Sequence, residues 1–295
     1  MTLWQSISEH IAQTAGRPFS ASAPSPVGGG CINAAYRIEG NGQRYFVKVN
    51  AAEGVSMFEA EAAGLKEIAA TRTVRVPQPV CLGSAGGSSY LVLEYIGMGS
   101  GGNAAAETLG RQLAALHRAS APRFGWSIAN TIGSTPQVNA WSASWQDFWR
   151  ERRLGYQLEL AARNGYGGGL QRKGEQLLAR IGAFFHGYAP IPSLLHGDLW
   201  GGNWGAERDR SPVIFDPAIY YGDRETDIAM TELFGGFSER FYAAYREAWP
   251  LHHGYAARKT LYNLYHILNH LNLFGGGYQR QAEQMMEQLL AEVRG

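Results

Sequence analysis

At 295 residues the chain is long enough for one large domain or two lobes with a sizeable core. Lysine and arginine number 26 against 25 aspartate and glutamate, and the formal net charge of +1 argues against a nucleic-acid or membrane partner held by bulk electrostatics. No apolar run approaches the roughly 20 residues of a membrane span, the N-terminus lacks a secretory pattern, and Cys31 and Cys81 form no metal-type spacing, so a reduced, cytoplasmic setting is expected.

The opening "MTLWQSISEHIAQTAG" predicts a short amphipathic helix, followed by a Ser/Pro/Gly-rich loop, "SASAPSPVGGG". "AAYRIEG" and "RYFVKVN" read as strands joined at Gly40-Asn41-Gly42, because Asn-Gly between alternating apolar residues is a strong hairpin signal. Over residues 55–70, Phe58, Ala62, Leu65 and Ile68 recur at helical spacing. "VRVPQPV" must be extended, since a residue before proline avoids the helical region. "SSYLVLEYI" reads as a buried strand that runs into a flexible "GMGSGG".

That glycine-rich stretch is the expected boundary. Beyond it "AAAETLGRQLAALHRA" predicts a helix, and "NAWSASWQDFWRERRLGYQLELAARN" predicts another with Trp141, Trp145 and Trp149 on one stripe. The C-terminal third is helical again. The expected architecture is α+β and bilobal: residues 1–96 form a small sheet-and-helix lobe with a leading helix, and residues 97–295 form a larger, mainly helical lobe.

"HGDLWGGNW" precedes the apolar "VIFD". Phosphoryl transfer needs a carboxylate near the accepting hydroxyl and oxygen ligands for a Mg²⁺ that bridges the phosphates. Asp198 suits the first task, and Asn203 with Asp216 suits the second. An Asp, an Asn five residues on and a strand-end Asp have the spacing of kinase catalytic and metal-binding loops. An Asp-Gly turn with an unrelated strand-end Asp is the plain alternative, and it requires all three polar positions and the strand to coincide. Lys48 sits inside "YFVKVN", where an unpaired ammonium is costly. Either it is an edge-strand lysine facing solvent, or it holds phosphates with help from a helix glutamate, Glu61 in preference to Glu59. Gly28, Gly29 and Gly30 form either a plain flexible turn or, given their place just ahead of the Lys48 strand, one whose backbone N–H groups approach phosphate oxygens. Cys31 beside them is an inert thiol or, if exposed, a redox-sensitive one that blocks the nucleotide when oxidised. Around Glu94, Tyr95 and Ile96 the chain is either an ordinary core strand or, in a kinase, the backbone on which an adenine edge would bind. Asp227 is expected to cap its helix or brace the catalytic loop, and His117 is expected to be structural.

Together "GGGCINAAYRI", "YFVKVN…MFEAEAAGL", "IGSTPQVNAWSASWQDFWRERRL", "HGDLWGGNW" and "IFDPAIYYGDRETDIAMTELFGGF" resemble the fructosamine kinase (ketosamine-3-kinase) family over nearly the whole chain. Gly201 stands where many relatives are expected to carry serine. The resemblance implies a protein-kinase-like fold related to aminoglycoside and choline kinases. It implies ATP- and Mg²⁺-dependent phosphorylation of the sugar 3-hydroxyl of ketoamines, whose unstable 3-phosphate eliminates and frees the amine, hence protein deglycation. Asp198 would be the base, Asn203 and Asp216 the Mg²⁺ ligands, Lys48 and Glu61 the phosphate clamp, and Trp200 a ring for the substrate. The spacings themselves support only a hydroxyl kinase. A kinase for an aminoglycoside or choline and a non-catalytic nucleotide-binding regulator are the rival readings; the absence of a dense acidic run weighs against the first, and the retention of Lys48, Asp198, Asn203 and Asp216 against the second.

Overall fold

The computed structural model describes residues 2–28 and 32–293. Gly29, Gly30 and Cys31, the expected phosphate turn and thiol, therefore lie outside the described residues.

In chain order the first elements are α1 (Leu3–Ala15), β1 (Ser25–Val27), β2 (Ala34–Gly40), β3 (Gln43–Ala51), α2 (Val55–Thr71), β4 (Pro79–Ala85), β5 (Ser88–Glu94), β6 (Met98–Gly99) and α3 (Gly102–Leu116). There follow β7 (Asn130–Ile132), β8 (Thr135–Gln137), α4 (Trp145–Phe148), a π-helical segment (Trp149–Gly155), α5 (Tyr156–Arg163), α6 (Gly169–Ala179), a 3₁₀ segment (Ile181–Phe185) and β9 (Ser193–Leu195). The chain closes with β10 (Trp204–Glu207), β11 (Pro212–Ile214), β12 (Tyr220–Gly222), α7 (Glu225–Leu233), α8 (Glu239–Ala248), α9 (Tyr255–Phe274) and α10 (Tyr278–Glu292). The architecture is α+β with two compact units: one is the chain up to Leu109 together with Gly202–Pro217, the other Gly110–Gly201 with Ala218 onward.

The first unit is built on a five-stranded antiparallel sheet of order β1-β2-β3-β5-β4. Asn41 and Gly42 turn the β2–β3 hairpin with φ of 51° and 74°, the left-handed backbone that a two-residue hairpin turn requires. On one side, Ile7 and Ile11 of α1 are fully buried with Ile38, Val47 and Val92. Phe58, Ala62, Leu65 and Ile68 of α2 are buried at their helical spacing, and each large apolar side chain removed from water contributes about 1.5–3 kcal/mol. The glycine-rich stretch after β5 is not simply a flexible connection. Met98 and Gly99 pair with Glu207 and Ala206, completing a three-stranded sheet of order β11-β10-β6. That pairing is why residues 202–217 group with the N-terminal part of the chain.

The second unit is mainly helical, with α9 buried along most of its faces and α10 against it. Here the long helix expected from Asn139 is shorter. Asn139 and Ser142 hydrogen-bond in an extended arrangement with Trp126 and Phe124, and the helix begins only after Ser144, whose side chain accepts from the Asp147 backbone N–H. Trp141 consequently stands outside the helix, 42% exposed and beside Tyr221, whereas Trp145 and Trp149 are buried. Among the described residues no helix is long and apolar enough to cross a membrane.

Candidate active site

Lys48 lies on β3, which is flanked by β2 and β5, so the edge-strand alternative is excluded. Its side chain is 6% exposed. Nζ lies 2.6 Å from Glu61 Oε1 on α2 and 2.7 Å from Asp216 Oδ1. Burial alone would push the ammonium's pKa down; the carboxylates of Asp216 and Glu61 outweigh burial and hold it above its ordinary value. Lys48 is therefore a fixed cation. Glu59, two residues before its partner, is exposed, because α2 turns it away from the face that carries Ala62 and Leu65.

Asn203 and Asp216 owe their proximity to one hairpin. β10 and β11 pair Trp204 with Ile214, and one step beyond that pair the Phe215 N–H donates to the Asn203 carbonyl at 3.0 Å. The strand-end spacing in the sequence thus sets two oxygen-bearing side chains at the open end of a hairpin. Asp216 has φ +58°, a left-handed backbone that a short polar residue tolerates and that gathers at functional sites. Its side chain is 44% exposed while bound to Lys48 on one oxygen.

Asp198 belongs to the second unit, in the loop after β9. The backbone just ahead of it is gripped by Asp227, whose Oδ2 accepts from His196 N–H at 2.7 Å and whose Oδ1 accepts from Gly197 N–H at 2.8 Å. His117 Nε2 lies 3.1 Å from Asp227 Oδ2, and His117 Nδ1 lies 2.8 Å from the Tyr245 hydroxyl. Burial pushes the His117 imidazole down. A neutral ring facing a carboxylate carries its proton on Nε2, so Nδ1 accepts from Tyr245. Burial raises and hydrogen bonding to His117 lowers the Asp227 pKa, with the net below its ordinary value. Asp227 is the brace rather than a helix cap, and His117 is structural.

The other expected residues are placed more loosely. Gly28 is exposed. The Glu94 carboxylate is engaged by Arg75 and by the Gln78 N–H at 3.0 Å, and its backbone N–H donates to Gln78. Past Glu94 the chain leaves the sheet at Tyr95 and Ile96. Tyr95 lines a cavity of about 920 Å³ in the first unit with Arg37, Arg44 and Met98. Trp200, 37% exposed, sits edge-on to Phe234 at 6.5 Å, and Phe234 lies 4.8 Å from His270.

Residues 3–292 match the family model of fructosamine kinase. A Synechocystis protein provisionally named a ketoamine kinase is 51% identical over 97% of both chains. The chain belongs to the fructosamine kinase family. The protein-ribulosamine 3-kinase of Arabidopsis thaliana chloroplasts is 44% identical over 95% of this chain and 86% of its own. A crystal structure provisionally named a fructosamine-3-kinase, from Haemophilus somnus, superposes with a TM-score of 0.90 at 31% identity over 97% of each chain. At 14% identity, a ternary complex of the aminoglycoside phosphotransferase APH(4)-Ia with ADP and hygromycin B superposes with a TM-score of 0.68 over 98% of this chain and 99% of its own, which shows the kinase-like fold alone. As a member of the fructosamine kinase family the chain is a kinase, a phosphotransferase with an alcohol acceptor.

Two features of this family member went unread in its sequence. Arg75, in the extended "VRVPQPV", donates to Glu94 and to Glu207 at 3.2 Å, while its carbonyl accepts from Ile214 N–H at 3.0 Å. It thereby fastens the 204–214 hairpin to the end of β5. The signal was a lone arginine between valines. Thr135, Gln137 and Asn139 of "STPQVN" are buried as well.

Proposed function

We propose that this chain is an ATP-dependent ketosamine 3-kinase that transfers the γ-phosphoryl group to the sugar 3-hydroxyl of fructosamine- or ribulosamine-type adducts, after which the unstable 3-phosphate eliminates and frees the amine. The Lys48–Glu61–Asp216 contact is the observation that carries the phosphoryl-transfer part of this reading, since a buried ammonium held between two carboxylates has a ready use in gripping phosphate oxygens; the ketosamine acceptor is supported by the relatives named as ketoamine and ribulosamine kinases. In this reading residues 1–96 and the 202–217 segment, all within the first unit, handle the nucleotide. Gly28 to Gly30 cover the phosphates, and the backbone at Glu94, Tyr95 and Ile96 takes the adenine edge.

Asn203 and Asp216 would hold Mg²⁺. One carboxylate and one amide oxygen suit a hard cation that completes its shell with phosphate and water oxygens, and the hairpin end offers both donors together. When bound, the ion neutralises charge on the phosphates. Asp198, braced through the preceding backbone, accepts the proton of the acceptor hydroxyl, and Trp200 packs against the sugar or amine. The wide cysteine spacing, with Cys81 buried and unpaired, supports a reduced cytoplasmic setting. An ADP-release assay with Mg·ATP tests the reading, using fructose-, ribulose- and erythrulose-derived amines beside an aminoglycoside and choline. Turnover confined to ketoamines and lost in Asp198→Asn, with ATP binding kept, is expected; turnover only on an aminoglycoside or choline would overturn it.

A further inference from the structure

Five polar side chains of the second unit have no part in the reading above. Asn130, Gln137, Asn139, Arg153 and Tyr265 are each at most 8% exposed. In the small β7–β8 hairpin Asn130 stands opposite Gln137. Their amides reach two consecutive carbonyls, Asn130 Nδ2 donating to Ile219 O at 2.9 Å and Gln137 Nε2 to Ala218 O at 3.1 Å.

Each amide is oriented from behind. The Tyr265 hydroxyl donates to Gln137 Oε1 at 2.8 Å. Arg153 donates to Asn139 Oδ1 at 2.8 Å, and Asn139 Nδ2 donates to Asn130 Oδ1 at 2.8 Å. Arg153 is fully buried, has no carboxylate partner among the described residues, and lies 4.1 Å from the Tyr220 ring centre. A guanidinium only donates, so it draws the Asn139 oxygen toward itself, Asn139 Nδ2 then faces the Asn130 oxygen, and Asn130 must point its nitrogen toward Ile219. Bonds in such a row polarise one another.

Ala218 links this network to the loop of Asp198. Its N–H donates to the His196 carbonyl at 2.9 Å. Its carbonyl lies so close to Gly197, where φ is +82°, that a Cβ there would sit 2.1 Å away. The backbone preceding Asp198 is thus held by Asp227 through its N–H groups and by Ala218 through a carbonyl and a tight contact. We propose that Asn130 and Gln137 form an amide clamp, and that Gln137 is a positioning residue which sets Ala218 and, through His196 and Gly197, the aim of the Asp198 carboxylate at the acceptor hydroxyl. The proposal rests on the reading of Asp198 as the base.

Gln137→Leu, Tyr265→Phe and Asp198→Asn test it together, each assayed for kcat, KM for ATP, ATP dissociation constant and near-UV circular dichroism. A base shifted by about an ångström loses rate while substrates still bind. Gln137→Leu should lower kcat by roughly thirtyfold or more and Tyr265→Phe by roughly three- to tenfold, with both ATP constants within about twofold of the parent. Should Gln137→Leu fail to fold, Tyr265→Phe decides, since it removes one hydroxyl and keeps the ring. A purely structural network predicts lower stability with unchanged kcat per folded molecule, and that result in both variants, with Asp198→Asn inactive, overturns the clamp. Full turnover in Asp198→Asn would instead remove the base reading itself.

Discussion

Lys48 is the residue on which the nucleotide half of the account turns. With its side chain 6% exposed between two carboxylates, it cannot be removed without leaving Glu61 buried and uncompensated. Breaking a buried pair from one side costs about 3–5 kcal/mol. Lys48→Met is predicted to lose roughly a hundredfold or more in turnover, as for other electrostatic anchors of a transition state, and about 3 kcal/mol in urea unfolding at neutral pH. In that variant burial raises the Glu61 pKa above its unfolded value, so the penalty is absent below about pH 4.3 and grows as pH rises through the folded pKa. Unfolding at pH 4 and 7.5 checks the sign. Glu61→Gln should share the loss of turnover and Glu59→Gln should be silent. Equal effects from the two would contradict the pairing. The pairing with Glu61 was legible in the sequence, because a lysine within an apolar strand demands a partner and the buried side of the following helix can supply one. The contact of Lys48 with Asp216 was not, since it joins residues 168 positions apart through a hairpin whose attachment the sequence does not display.

At the scale of elements, the segment around residue 145 shows where periodicity misleads. Three tryptophans four apart read as one helical stripe, yet the cap at Ser144 starts the helix after the first of them. Capping chemistry outranked spacing there. Trp149, 1% exposed, is predicted to cost about 3–5 kcal/mol on change to alanine, whereas Trp141→Ala, at a 42% exposed position, should cost less than about 1 kcal/mol. Thermal or urea unfolding of the two variants separates a stripe from a single anchor. The π-helical turn that follows also brings Arg153 into the core, and nothing in a 3.6-residue pattern announces it. The β2–β3 hairpin and α2 were legible because their turn chemistry and apolar spacing agree. β6 was not, since two residues in a glycine-rich run carry too little pattern to reveal their pairing with β10.

For the molecule as a whole, composition and periodicity sufficed for the α+β class and the helical C-terminal half. The attachment of residues 202–217 to the N-terminal unit depends on strand pairing across more than a hundred residues, which local pattern does not encode. A global consequence follows from the buried histidines. Burial, then His270 beside it, pushes the His266 imidazole down to about 3, against the pull of Asp227; burial lowers His117 too. A pKa lower in the folded state than its unfolded value near 6.5 means full stability above that pH and loss as pH falls toward the folded value. One such group removes about 1.4 kcal/mol per pH unit below 6.5. His266→Gln should therefore lose about 2 kcal/mol less than the parent protein between pH 7 and pH 5 in urea unfolding, and parallel losses would contradict it.

The central claim is transfer of phosphate to one particular hydroxyl. The most direct test is ³¹P–¹H correlation NMR of the product formed from Mg·ATP and a ribulose- or fructose-derived amine. The account predicts phosphate on the oxygen of sugar carbon 3, followed by decay of that signal as free amine and inorganic phosphate appear. Phosphate on another hydroxyl, or a stable product that never releases its amine, would contradict it.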